Sequence, residues 1–278
     1  MSDRSRRNGG GQETTATVWA AVSGMTVGEA WLRRDEPKSP ELLARYDGAV
    51  ARLERGVPFA YAVGSVGFRM LDLKIDRRAL IPRPETEGLV DLVLARCATG
   101  LVADIGTGCG CIALALAAEG QFERVVAVEQ SADAAALARE NVKRLSPKTP
   151  VEIRDGDLLV PLVHRGERYR AIVSNPPYLT PREYAELDRS VAEFEPREAL
   201  VSGSDGLDAT RSLFAGAAGV LEPGGLLAVE IDERRADAIR LLGREYGWDV
   251  AIHADLFGRP RYALATPGRG PGAHTSEE

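Results

Sequence analysis

Short apolar runs alternate with amphipathic segments from Thr86 onward, and this alternation limits the fold more than any other feature of the chain. The apolar runs have the length of β-strands, and the segments between them repeat apolar residues at helical spacing. Because strands that alternate with helices run parallel, the pattern predicts an α/β fold, with a parallel sheet covered by helices on both faces. The predicted strands cover residues 101–106, 124–130, 151–157, 169–177 and 226–231, and the predicted helices cover residues 87–98, 111–120, 131–145, 208–221 and 234–247.

Two further apolar runs, residues 249–256 and 261–267, lie close to the end of the chain. The segment between them is too short for a helical crossover. They are therefore predicted to form an antiparallel hairpin at the edge of the sheet.

The region before this alternation differs in composition, and it predicts the following domain boundaries. Residues 1–16 and 268–278 are polar and rich in glycine, which is typical of disordered tails. Helical patterning over residues 17–64 predicts a small helical N-terminal domain. Alternation around glycines predicts a hairpin linker over residues 65–84, and the main domain is expected over residues 85–267.

Composition excludes some classes of function. The net charge of -6 over 278 residues argues against a protein that grips a nucleic-acid backbone, although a local basic patch is compatible with it. The three cysteines form no C-x-x-C pair, and the histidines, His164, His253 and His274, complete no metal-ligand pattern. With a polar N-terminus and no run long enough to cross a membrane, the sequence predicts a cytoplasmic protein with free thiols and no metal.

A glycine-rich turn follows the first predicted strand of the main domain. Asp104 precedes three glycines, Gly106, Gly108 and Gly110, in the stretch "VADIGTGCGCIALALA". Glycines allow positive φ and a close approach of the backbone to a ligand, and in open α/β sheets ligands bind beyond the carboxyl ends of the strands. We predict that Asp104 orders the turn or meets a cationic ligand. The alternative is a tight turn with no function beyond packing.

Acidic residues follow the next two strands at the same predicted edge. Glu129 ends the second strand, where a carboxylate can bind both hydroxyls of a ribose. Asp157 follows the third strand and is predicted to reach an adenine edge through the backbone of Leu158. A nucleoside that carries a positive centre and no phosphate is S-adenosylmethionine, which is the predicted cofactor.

The fourth strand runs into Asn175-Pro176-Pro177-Tyr178, a stiff loop with few hydrogen-bond donors. A planar NH2 group is a weak nucleophile, and its two N–H bonds must be held by acceptors. The Asn175 oxygen and a carbonyl of the Pro-Pro loop can accept them, while the ring of Tyr178 stacks on the flat group. The motif alone leaves a glutamine amide, adenine, cytosine and guanine N2 open as acceptors of a methyl group, and a simple strand-ending turn is the structural alternative.

The chain resembles the HemK-like protein-(glutamine-N5) methyltransferases over residues 40–266. The resemblance rests on "ALIPRPETEGLV" (79–90), the glycine turn (102–117), "IVSNPPYL" (172–179), "EFEPREALVSGSDGLDATR" (193–211), "LEPGGLLAVEI" (221–231) and "DLFGRPR" (255–261). Nucleic-acid amino-methyltransferases share only the glycine turn and the Asn-Pro-Pro-Tyr loop. The resemblance therefore favours a glutamine acceptor over a nucleobase.

The family implies a class I S-adenosylmethionine-dependent methyltransferase fold, which is Rossmann-like with a seven-stranded sheet. It implies that Asn175 to Tyr178 hold the amide of the Gly-Gly-Gln glutamine of peptide-chain release factors. It places substrate-binding residues at Arg83 and Glu85. The cofactor site implied by the resemblance includes Gly106, Thr107, Gly108, Cys109, Gly110, Glu129, Leu158 and Asn175.

Several alternatives stay open at this point. The chain has a shorter N-terminal region than is usual in the family, so a paralogue with another glutamine-bearing or amide substrate is one alternative. A DNA or RNA amino-methyltransferase and a non-catalytic cofactor-sensing protein are the others. Residues 182–198 are either a solvated helix and loop or a lid over the substrate. Gly10-Gly11-Gln12 repeats the tripeptide that the family modifies; we interpret it as a coincidence, with self-methylation as the alternative.

Overall fold

The computed structural model describes residues 9–97, 99–163 and 165–268, without the side chains of residues 9–14. His164, His274, the first half of the predicted N-terminal tail and residues 269–278 of the C-terminal tail lie outside these ranges, as does the side chain of Gln12. Nine strands are present in the described part of the chain: β1 Ser65–Phe68, β2 Leu71–Lys74, β3 Leu101–Ile105, β4 Arg124–Glu129, β5 Val151–Asp155, β6 Tyr169–Ser174, β7 Leu221–Glu230, β8 Trp248–Ala254 and β9 Pro260–Pro267.

Apolar spacing predicted the helices at Pro40–Glu54 and Ala132–Leu145. The predicted helix over residues 208–221 is too long, because the helix ends at Gly216 and Leu221 is the first residue of β7. The helices are α1 Gly9–Ser23, α2 Val27–Leu32, α3 Pro40–Glu54, α4 Phe59–Val63, α5 Pro84–Leu94, α6 Cys111–Glu119, α7 Ala132–Leu145, α8 Val160–Val163, α9 Pro181–Ala185, α10 Arg189–Ala192, α11 Asp208–Gly216 and α12 Ala236–Glu245. Short 3-10 helices occupy Arg197–Ala199, Ala217–Gly219 and Glu233–Arg235.

Seven strands form one sheet in the order β5-β4-β3-β6-β7-β9-β8. The first five are parallel, and β9 pairs antiparallel with both β7 and β8. The prediction of a seven-stranded α/β sheet with an antiparallel edge hairpin is confirmed. Because β3, β4, β5, β6 and β7 run in one direction, the loops that follow them meet at one edge of the sheet.

Helices cover both faces of the sheet and bury a separate apolar cluster on each. On one face, α5, α6 and α7 contribute Leu89, Leu114 and Leu137. On the other face, α11 and α12 contribute Phe214 and Leu242. The near-continuous apolar strands of the sequence follow from this arrangement, because a parallel sheet with two covered faces exposes neither side of its central strands.

The N-terminal helices have a small core of their own, made by Val18, Val22 and Ala49. The rings of Trp19 and Tyr46 stack beside it, with centroids 4.0 Å apart. The sequence analysis assigned residues 1–16 to a disordered tail, whereas α1 begins at Gly9 in the structure. Once Val18 and Val22 fix one turn of α1 against α3, extending the helix toward its N-terminus costs little. The domain boundary between residues 64 and 65 stays a prediction.

The β1–β2 hairpin contributes to the main core as well as linking the two regions. Phe68, Leu73 and Ile75 are buried in the same cluster as α5 and α6. Asn141 of α7 joins the hairpin to the glycine turn: its Oδ1 accepts from Lys74 N at 2.8 Å, and its Nδ2 donates to Lys74 O and Cys109 O, both at 2.9 Å. The hairpin therefore stabilises the turn that it adjoins.

Helix α5 lies unusually close to β9. A Cβ at Gly88 would overlap the phenol oxygen of Tyr262 and lie 2.8 Å from its Cζ. The same hydroxyl donates a hydrogen bond to Glu85 O at 2.5 Å. Glycine at position 88 thus lets Tyr262 fix the first turn of α5. Within the described ranges, none of the helices combines the length and the apolar character that crossing a bilayer requires.

We expect Gly88→Ala to lower the free energy of unfolding by about 1–3 kcal/mol, because the added methyl group must displace the Tyr262 ring. Denaturant unfolding measures the difference. Gly28→Ala is the matched control, since a Cβ at Gly28 in α2 meets open space. That change should be neutral or stabilise by up to about 1 kcal/mol through helix propensity. Equal effects of the two substitutions would contradict the close contact.

Candidate active site

A cleft of about 840 Å³ opens at the edge where the parallel strands end. Its walls come from the glycine turn after β3, the loops after β4, β5 and β6, the segment before α5 and the segment around residues 196–203. The predicted site residues that line it are Arg83, Gly106, Thr107, Gly108, Cys109, Glu129, Asp157, Leu158, Asn175 and Pro177. The structure thus brings together most of the residues that the sequence singles out from four separate strands.

The remaining predicted residues support the cleft from behind its surface. Asp104 is fully buried beneath the turn. Gly110 is the N-cap of α6, with φ 89°. Pro176 is buried, while Tyr178 and Glu85 are half-buried beside the lining residues.

Asp104 holds the glycine turn from below. Its Oδ2 accepts hydrogen bonds from Thr107 Oγ1 at 2.6 Å and from Ala113 N at 3.1 Å, and its buried Oδ1 has no partner among the described residues. Burial raises the pKa of Asp104 to about 7, and the nearby Glu129 adds to the rise. These contacts support the predicted role in ordering the turn.

The turn presents backbone to the cleft. Gly106 has φ 70°, which disfavours any side chain, and a Cβ there would project into open space. The turn is tied to the next strand, because Gly106 N and Thr107 N both donate to Val128 O, at 2.9 and 3.1 Å. A ligand in the cleft can therefore approach a rigid backbone with no side chain between them.

Glu129 lies at the end of β4, in direct contact with the glycine turn. Its Oε2 accepts from Gly108 N at 2.8 Å and its Oε1 from Ser131 N at 2.9 Å. An ionised carboxylate has about four acceptor sites, so roughly two remain for the hydroxyls of a ligand. The two backbone contacts hold the carboxylate in one orientation in the cleft.

The Asn-Pro-Pro-Tyr loop is held on two sides. Ser174 Oγ donates to Ile105 O at 2.8 Å, which joins the ends of β6 and β3. Tyr178 N and Leu179 N both donate to Leu200 O, at 3.2 and 2.8 Å, and Ser202 N donates back to Leu179 O at 2.9 Å. The loop is therefore a fixed wall of the cleft beside the glycine turn.

The environment of Tyr178 is closed and charged. Burial, together with the charges of Glu230 and Asp232, raises the pKa of its hydroxyl to about 12, and Arg261 opposes them. A Cβ at Gly206 would overlap the Tyr178 carbonyl oxygen, so the "DGLD" segment packs directly on the loop. The phenol stays neutral at ordinary pH.

Arg83 is paired across the cleft wall. Its Nη2 lies 2.7 Å from Oε1 of Glu195, a residue whose side chain is only 2% exposed. Glu195 Oε2 also accepts from Ile81 N at 3.2 Å. The end of the charged 182–198 segment is thus tethered to the "RPETE" segment, whereas α9 and α10 in the same stretch carry no buried residue.

Residues 196–199 and 201–203 line the cleft. The lid alternative of the sequence analysis covered residues 182–198, whereas residues 199–203 had not been placed at the site. Two buried residues next to Asn175 were also missed: Thr86, which lines the cleft, and Glu230, which does not. The only signal for them is that they fall in the "RPETE" and "LLAVEI" blocks. Within the described ranges, Cys97, Cys109 and Cys111 are free, and no group of three or more His, Cys, Asp or Glu side chains is arranged to hold a metal.

Comparison with known proteins identifies the family of the chain. The family described as "Methyltransferase small domain" matches residues 85–193. A release factor glutamine methyltransferase of Moorella thermoacetica is 41% identical over 238 residues, which are 84% of this chain and 83% of that protein. One from Geobacter sulfurreducens is 40% identical over 226 residues, 80% of this chain and 78% of that protein.

A solved methyltransferase from Pyrococcus furiosus has a similar fold. It superposes with a TM-score of 0.55 at 22% identity and covers 79% of this chain and 98% of its own. At that identity the likeness concerns the fold alone. It confirms the methyltransferase architecture of the sheet and its helices.

Removing the Glu195 carboxylate should loosen the cleft wall. We expect Glu195→Ala to lower the free energy of unfolding by about 1–3 kcal/mol, because Ile81 N and the partly exposed Arg83 lose a buried partner. Tryptic cleavage after Arg189 and Arg197 should become faster. Glu193→Ala is the control, since the Glu193 carboxylate forms an ion pair with the exposed Arg189 and its loss should cost less than about 1 kcal/mol. Equal cleavage of the two variants would contradict the tether.

Proposed function

We propose that this chain, which belongs to the release factor glutamine methyltransferases, transfers a methyl group from S-adenosylmethionine to the side-chain amide nitrogen of a glutamine. The relatives' name supports a glutamine of a release factor as the substrate, and we propose that it is the Gly-Gly-Gln glutamine that the family resemblance implies. One observation carries the proposal: the rigid acceptor loop at Asn175 lies in the same cleft as the Glu129 carboxylate and the glycine turn.

The residues of the cleft fit the cofactor. Glu129 has free acceptor sites for the two ribose hydroxyls, and the backbone at Asp157 and Leu158 lines the part of the cleft assigned to the adenine edge. Gly106 leaves its backbone accessible to the rest of the molecule. When bound, S-adenosylmethionine supplies an electrophilic methyl carbon on a positively charged sulfur. We propose no metal in this site.

The chain's own contribution is to hold the acceptor amide. The lone pair of an amide nitrogen is delocalised into its carbonyl, so the nitrogen must be aligned with the methyl carbon. The Asn175 oxygen and a carbonyl of Pro176 or Pro177 are proposed to accept its two N–H bonds. The nitrogen would take the methyl group with S-adenosylhomocysteine as the leaving group, and it would then release one of its two protons to water. As the nitrogen gains positive charge during transfer, both hydrogen bonds strengthen, and positioning supplies most of the rate.

Three further residues complete the proposed substrate site. The neutral ring of Tyr178 is proposed to stack on the planar amide. Arg83 and Glu85 lie at the start of α5 beside the cleft and are proposed to contact the substrate protein. Since release factors act on the ribosome, the proposal places the reaction in the cytoplasm. The net charge of -6 supports a protein partner rather than direct binding of nucleic acid.

Incubation with a release factor and labelled cofactor tests the activity. We expect label in the fragment that contains the Gly-Gly-Gln loop, and none when that glutamine is replaced by glutamate.

Asn175→Ala should lower the single-turnover rate at least about 100-fold, because the acceptor amide loses one of its two fixed partners. Absence of transfer to every release factor of the same organism would overturn the proposed substrate.

Calorimetry tests the cofactor site separately. Glu129→Ala should weaken S-adenosylmethionine binding about 10–100-fold, which corresponds to loss of hydrogen bonds to a charged group. Glu129→Asp should lie between that variant and the wild type. The exposed Glu123 provides the control, and Glu123→Ala should bind as the wild type does. Unchanged affinity of Glu129→Ala would remove Glu129 from the cofactor site.

A further inference from the structure

A chain of hydrogen bonds runs from Asn175 into the protein interior. Asn175 Nδ2 lies 3.1 Å from Thr86 Oγ1. The same Thr86 oxygen lies 2.7 Å from Glu230 Oε2. Thr86 and Glu230 are each 2% exposed, so bulk water does not compete for these contacts. The three residues come from the end of β6, the first turn of α5 and the end of β7.

The chemistry of these groups fixes which one donates and which one accepts in each of the two hydrogen bonds. When Glu230 is ionised its carboxylate can only accept, so the single hydroxyl proton of Thr86 is then donated to Glu230. The Thr86 oxygen then offers only lone pairs to Asn175. The arm of the Asn175 amide that faces Thr86 must therefore be its NH2 group, and Oδ1 occupies the opposite arm.

This direction matters because an asparagine amide can rotate. Its oxygen and nitrogen have nearly the same size, and only the hydrogen-bond partners decide which one occupies a given place. If the amide were reversed, an NH2 group of Asn175 would face the NH2 group of the substrate. Two donors would then point at each other, and one N–H of the acceptor amide would be left without a partner.

We propose that Thr86 and Glu230 are positioning residues that set the orientation of the Asn175 amide and so keep its oxygen available to the acceptor nitrogen. The role rests on the proposed function, because it assumes that Asn175 holds an amide NH2 group. Neither residue touches the reacting atoms.

The surrounding packing holds the three hydrogen-bonded residues in place. Glu230 is paired in register with Tyr262 across β7 and β9. The Tyr262 hydroxyl donates to Glu85 O, one residue before Thr86. Gly88 allows the ring to sit against the same helix. The first turn of α5 is thereby held above the end of β7, which is the position that the Thr86 hydroxyl needs.

Thr86→Val tests the role, because it removes the hydroxyl and keeps the shape of the side chain. Burial raises the pKa of Glu230 to about 7, so assays belong well above that value, at about pH 8.5. We expect the single-turnover rate on the release factor to fall about 10–100-fold, and the dissociation constant for S-adenosylmethionine to change less than about twofold. Thr86→Ser keeps the hydroxyl and should stay within about threefold of the wild-type rate.

Two controls separate orientation from general damage. Thr210 is a threonine with the same 2% exposure in α11, outside the lining of the cleft. Thr210→Val should leave the rate within about twofold. Glu230→Gln replaces an obligate acceptor by an amide that can also donate, so the direction is no longer enforced. Its rate should fall between those of the wild type and Thr86→Val.

The decisive comparison uses Asn175→Asp as a background. A carboxylate has an acceptor on both arms, so its orientation does not matter. We expect Thr86→Val to change the rate less than about threefold in that background, although it costs about 10–100-fold in the presence of Asn175. An equal loss in both backgrounds, or no loss in either, overturns the positioning role. A wild-type protein that methylates no release factor overturns the proposed function instead.

Discussion

The parallel pairing of β3 with β4 and β6 is the constraint on which the candidate site depends. Ile105 pairs with Ser174 in register, and the Ser174 hydroxyl joins the two strand ends. Each strand therefore delivers its following loop to the same edge: the glycine turn, Glu129 and Asn175. A shift of one pair in this register would place the acceptor loop on the wrong side of the turn, because side chains alternate between the faces of a sheet.

Contacts between distant segments then set the shape of the cleft. Glu195 binds the segment before α5, and Tyr262 binds the first turn of α5 from β9. The "RPETE" segment is thus held at two points along its length. Because its position depends on both contacts, Thr86 is located by the tertiary structure rather than by its own helix. The site is rigid at its acceptors, whereas α9 and α10 beside it are exposed.

The sequence predicts the sheet well because its signals are local. Apolar runs and helical spacing identified all seven strands, and glycine and acidic residues at strand ends indicated the cleft. Burial of polar pairs is not local: Thr86 and Glu230 are 144 residues apart, and Arg83 and Glu195 are 112 apart. No period or spacing connects such pairs.

The two proposed acceptors differ in how much support they need. A backbone carbonyl in the Pro-Pro loop cannot exchange places with a donor, because proline has no N–H and the peptide plane is fixed by its neighbours. The Asn175 amide can exchange its oxygen and nitrogen by a rotation of about 180° about one bond. A buried hydroxyl that donates its single proton to a carboxylate removes that freedom, because it has no second proton to donate to the Asn175 oxygen. The backbone fixes the position of the proline carbonyl but not which arm of the Asn175 amide carries the oxygen. Thr86 and Glu230 therefore orient the acceptor that the backbone cannot orient.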